Sequence, residues 1–120
     1  MLIASEIISA YEGKKFVPDK VRKVAMGTQV GATFSNRRIA QKYGHMVGIT
    51  DELYEKWWDD DDNVSIVMEF DDPTLTIKKI EFFKDQFITI GDKQYKKIVK
   101  EPTQEDLQVF KNILEFITTE

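Results

Sequence analysis

The sequence predicts an α+β fold in which an antiparallel β-meander of three to four strands packs with N-terminal helices and a C-terminal amphipathic helix. Three observations carry that expectation. Apolar residues recur mainly at helical spacing up to residue 58, take on a strand texture between residues 64 and 99, and return to helical spacing from residue 103. No internal repeat or flexible linker is visible in the 120 residues, so one domain is expected over 1–120: 1–58 mainly helical, 64–99 the meander, 103–118 the last helix.

Each element has its own justification. Ile3, Ile7 and Tyr11 stand at i, i+4, i+8 with Ile8 beside them, the stripe of a short helix that ends near Gly13. Pro18 and Asp19 mark a turn or a helix start, and Val21 to Ala25 fit helix or strand equally. Gly27 to Phe34 contains two glycines and few helix formers, so extended or irregular backbone is expected. Ser35 is positioned to cap a helix over Asn36 to Tyr43 that stops at Gly44. Thr50 caps the next one, with Asp51 and Glu52 in its electropositive first turn and Leu53, Tyr54, Trp57 and Trp58 at helical spacing before the Asp59 to Asp62 run ends it.

Val64 to Phe70 then reads as a strand, punctuated by Asp71, Asp72 and Pro73. In the strand of residues 74–83 the apolar phase switches between Ile77 and Ile80, which predicts a bulge at Lys78 and Lys79. Lys84 and Asp85 are expected to turn the chain, Gln86 to Ile90 to form a short strand, and Lys93 to Val99 another after Gly91 and Asp92. Thr103 opens the last helix with Asp106 as a capping-box partner, and Leu107, Phe110, Ile113, Leu114 and Ile117 form a face that must be buried.

Composition narrows the function classes. With 42% hydrophobic residues, eight Phe, four Tyr and two Trp, the chain has the apolar material a disordered chain lacks. It has no cysteine, which removes disulfide frameworks and thiolate metal sites and makes a cytoplasmic location the expectation. The apolar start is interrupted by Glu6 with no basic residue before it, which does not fit a signal peptide, and nothing reaches the roughly 20 apolar residues of a membrane span. Fourteen Lys against three Arg, with abundant Ile and Asp, is the usage of AT-rich coding sequence, as in many phages and low-GC bacteria.

Charge is distributed in three blocks. Residues 1–50 carry eight basic against three acidic residues (net +5), residues 51–63 seven acids against Lys56 (net −6), and residues 64–120 eleven acids against eight lysines (net −3). Segments of opposite sign favour partners of opposite sign. The acidic block, Asp51, Glu52, Glu55, Asp59, Asp60, Asp61 and Asp62, forms an anionic ridge suited to a basic protein surface. Trp57 and Trp58 supply aromatic anchors of a type enriched at binding hot spots, although two adjacent tryptophans on a helix do not both point inward. The basic block offers the alternative, a nucleic-acid surface built from Arg22, Lys23, Arg37, Arg38 and Lys42.

Other chemistries fit less well. Ile39 to Gly44 has the small residue before a turn glycine of a helix-turn-helix. However, the turn through Gly48 is long, and the would-be recognition helix opens with acids that phosphates repel. Asp59, Asp61 and Asn63 imitate the opening of a calcium loop, but Val64 stands where its glycine belongs and Phe70 where its bidentate glutamate belongs. A looser magnesium site with Glu69, Asp71 or Asp72 cannot be read from spacing, and a solvated helix end is the simpler reading of the run. His45, the only histidine, has no nucleophile motif beside it, and neither glycine pair is followed by the Lys-Ser/Thr of a phosphate loop. The expectation is therefore a binding protein without catalysis or cofactor. Its expected partner is a basic protein, with nucleic acid as the alternative, no membrane, and self-association open through edge strands.

Overall fold

The computed structural model describes residues 1–24, 26, 27, 31–35, 44–71, 73–92 and 95–120. The fold is α+β. In chain order the elements are α1 (Ala4–Tyr11), α2 (Pro18–Val24), β1 (Met26–Gly27), β2 (Gly31–Ser35), a single 3-10 turn (Gly44–Val47), α3 (Asp51–Asp59), β3 (Asp62–Asp71), β4 (Thr76–Thr89), β5 (Tyr95–Val99) and α4 (Gln104–Thr118). The sheet runs β1-β2-β3-β4-β5 in space as in sequence, and every pairing is antiparallel. The stretch 64–99 thus supplies three strands, and β1 and β2 extend the sheet from the glycine-containing segment expected to be extended.

The helices lie on one face of the sheet. Val64, Ile66, Met68 and Phe70 of β3 alternate inward, and Ile77 and Ile80 of β4 join them, against Leu107, Phe110, Ile113, Leu114 and Ile117 of α4. Phe82 stacks on Phe110 at 4.4 Å between ring centroids, and Phe16, in the loop after α1, stacks on Phe70 at 4.0 Å. Val47, Ile49, Leu53 and Trp57 complete this core from the 3-10 turn and α3. Fully burying an aliphatic or Phe side chain is worth about 1.5–3 kcal/mol, so this layer supplies most of the drive to fold.

The bulge falls where the change of apolar phase predicts it. Glu69 pairs with Lys79 and Phe70 with Ile77, which leaves Lys78 as the extra residue on β4. The insertion keeps Ile77 and Ile80, three apart, on the same face. Both predicted helix caps form: Thr50 Oγ1 accepts from the Leu53 amide at 3.1 Å, and Thr103 and Asp106 make a reciprocal capping box. α2 resolves the helix-or-strand ambiguity after Pro18 in favour of helix through Val24.

The expected turn at Lys84 and Asp85 does not form; β4 runs straight through both residues. Alternation explains this: Ile80, Phe82 and Lys84 share the helix-facing side, and the Lys84 ammonium finds carboxylates there instead of water. The helix expected over Asn36 to Tyr43 lies outside the described residues, as does the predicted start of the last strand at Lys93 and Gln94. No described helix is long and apolar enough to cross a membrane.

Candidate protein-docking surface

α3 places the acidic block. Leu53 and Trp57, one turn apart, are buried at 5% and 2% exposure, which turns the opposite side of the helix to solvent. Asp51, Glu55, Trp58 and Asp59 fall at i, i+4, i+7 and i+8 of that outer side, and Glu52 lies beside them. All five are exposed. Trp58 is 60% exposed, with its ring 6.4 Å from the Tyr54 ring. The helix closes at Asp60, and Asp61 turns the chain in the left-handed region at φ 54°, which Asp tolerates better than most side chains. Lys56, the one cation of this block, reaches Glu105 at 3.8 Å across the gap to α4.

Two of the candidate residues do not belong to this surface. Trp57 points into the core, where its Nε1–H donates to Asp106 Oδ1 at 2.7 Å. Asp62, with 2% exposure, is the first residue of β3 and shares the inward phase of Val64 and Ile66. The exposed set is therefore Asp51, Glu52, Glu55, Trp58, Asp59, Asp60 and Asp61.

Beneath the surface lies a chain of charges that spacing did not reveal. Asp106 Oδ2 accepts from Lys84 Nζ at 2.7 Å and from the Thr103 amide at 2.8 Å. On its other side Lys84 faces Asp62 Oδ2 at 3.8 Å, and Asp62 Oδ1 accepts from Lys100 Nζ at 2.7 Å. Two ammonium and two carboxylate groups thus balance, and no buried side-chain polar atom among the described residues lacks a partner. Burial pushes the Asp106 carboxyl up, but hydrogen bonds from Lys84, Thr103 and Trp57 outweigh it and hold the group below its ordinary value. The hydrogen bond to Asp62 raises the Lys100 ammonium. Such a satisfied, neutral network suits positioning of α3, α4 and β4 against one another. Its one sequence signal is Lys84 in phase with Ile80 and Phe82.

The basic block is only partly described. Arg22 is exposed and pairs within α2 with Asp19 at 3.4 Å. Lys20 donates to the Thr119 carbonyl oxygen and lies over the Phe116 ring, while Lys14 lies over the Tyr11 ring. Arg37, Arg38, Lys42 and the side chain of Lys23 lie outside the described residues. His45 is exposed in the 3-10 turn. Among the described residues no group of three or more His, Asp or Glu is arranged to hold a metal ion. Compared with known proteins, the chain matches no family model, no curated protein and no solved structure.

Proposed function

We propose that this chain is a non-catalytic binding domain that docks a basic protein surface through the outer side of α3 and the turn that follows it. The observation that carries this reading is Trp58. A 60% exposed tryptophan stands on the same helical stripe as Asp51, Glu55 and Asp59, which puts an aromatic anchor inside an anionic patch. Steering by the acids and burial of the indole are separable contributions, the first acting on the association rate and the second on the dissociation rate.

The lysine-rich composition supports an origin in a phage or another mobile element, acting inside the host cell. The partner proposed on that basis is a host protein that handles nucleic acid, on whose basic phosphate-binding surface the acids dock by imitating a phosphate backbone. Local contacts occupy Lys14, Lys20 and Arg22 of the basic block, so the acidic side is preferred over a nucleic-acid surface. A pull-down from host lysate, run with and without nuclease, tests this. The expected result is a stoichiometric basic protein that is lost with Asp59→Lys, Asp60→Lys and with Trp58→Ala. Recovery of only nucleic acid, or retention indifferent to all three substitutions, overturns it.

A further inference from the structure

We propose that the cavity between α1 and α4 is a binding site for a single-chain aliphatic carboxylate, a medium-chain fatty acid or a compound of that shape. The cavity measures about 270 Å³ and follows one side of α1, where Ile3, Ile7 and Ala10 stand at i, i+4 and i+7 with Tyr11 beside them. Ile7 belongs to the core, whereas Ile3 at the mouth is left 47% exposed. Leu2 supplies a wall. The Gln104 side chain holds the Leu2 backbone at both ends, accepting from its amide at 2.7 Å and donating to its carbonyl oxygen at 2.9 Å. That wall is thus tied to the first turn of α4, and the cavity is preformed, as ligand sites usually are. No residue of the α3 docking surface lines it, so the two proposals stand or fall separately.

Charge selects an anion as the occupant. Lys111 of α4 lines the cavity half-buried, and Lys14, just past α1, lies over the Tyr11 ring at 5.1 Å from its centroid. Among the described residues neither ammonium pairs with a carboxylate. A cation over an aromatic face keeps N–H donors for a ligand. Glu6 is the one acid among the described lining residues, so two cations against one carboxylate leave a single positive charge, which one ligand carboxylate neutralises. Burial, and after it Glu115, raise the Tyr11 phenol, so its hydroxyl stays protonated at neutral pH. Size narrows the class further. Sites for drug-sized ligands run from about 300 to 1,000 Å³, so this one takes a single slender chain. It is too small for the two tails of a membrane lipid or for a partner helix about 10–12 Å across.

Titration calorimetry with hexanoate, octanoate and decanoate, each below its micelle-forming concentration, tests the proposal. One molecule should bind per chain, more tightly by up to about fourfold for each methylene added until the cavity is full. Decanol should bind at least about tenfold more weakly than decanoate, and decanoate should lose as much on Lys14→Gln with Lys111→Gln. Ala10 is exposed on α1, so Ala10→Trp should fill the slot and abolish binding at an unchanged melting temperature. If that variant does not fold, the lysine variant carries the test. Failure of all three acids to bind overturns the proposal. So do equal affinities for decanoate and decanol, tighter binding of decyltrimethylammonium, or decanoate uptake indifferent to the lysine and Ala10 substitutions. Retention by vesicles of anionic phospholipid that Ala10→Trp abolishes overturns it too, because the anion recognised would then be a headgroup at a membrane surface.

Discussion

Asp60 and Asp62 are two residues apart in one run of four aspartates, yet they have opposite environments. Asp60 is exposed at the end of α3, while Asp62 is sealed at 2% exposure between Lys84 and Lys100. Identical side chains thus occupy two environments, set by backbone phase. The left-handed turn at Asp61 starts β3 with Asp62 on the inward side, where a carboxylate is tolerable only because two ammonium groups meet it. The exposed acids cost little to keep in water. Their buried neighbour instead ties the start of β3 to Lys84 of β4 and to Lys100.

That contrast breaks most severely at Asp106. Asp106→Ala removes the acceptor of Lys84 and of the Trp57 indole together with half of the capping box. Breaking a buried pair from one side costs about 3–5 kcal/mol, so a large fall in the urea midpoint is expected. An unchanged midpoint would show that the network is decoration. The same group sets the acid limb of stability. Because its carboxyl lies below the ordinary value when folded, its contribution is present above the unfolded pKa of ~3.9 and fades as pH falls through the folded value. Lys100, raised by Asp62, contributes below its unfolded pKa of ~10.4 and fades as pH climbs past the folded value. Thermal midpoints measured across pH should therefore show a plateau between these limits, with the acid limb shallower in the Asp106→Ala variant.

Trp57→Phe leaves Asp106 Oδ1 without its donor and a cavity where the larger indole packed, a loss of at least about 1–3 kcal/mol in chemical denaturation. At the other extreme, Asp60→Asn should change stability by less than about 0.5 kcal/mol while weakening capture of the basic partner. Equal destabilisation by Asp60→Asn and Asp106→Ala would erase the distinction between the exposed and the buried acids.

Much of the architecture was legible because local rules agreed with the final packing. The Thr50 and Thr103 caps, the apolar face of α4 and the bulge at Lys78 each follow from spacing over a few residues, and each forms. One tryptophan facing in and its neighbour facing out follows from helical geometry, though which of the two is buried depends on Asp106, 49 residues away. Lys84 reads as a turn residue in the sequence because a lysine beside an aspartate looks solvated. Its true partners come from β3 and α4, and no local pattern reports them. The same holds for Phe87 and Tyr95, whose alternation resembles that of a covered strand but which lie, like Phe83, on the face of the sheet away from the helices and are exposed there.

Strand order matches chain order across the whole sheet, and this bears on how the molecule assembles. β3, β4 and β5 close through connections of a few residues, so a β3–β5 unit can form early at little loop-closure cost. In that early unit Lys84 has only Asp62 nearby and still faces water. Its dehydration waits for α4, which arrives last along the chain and brings Asp106. The ionic lock is then a late event, absent from the rate-limiting barrier, and weakening it should accelerate unfolding far more than it slows refolding.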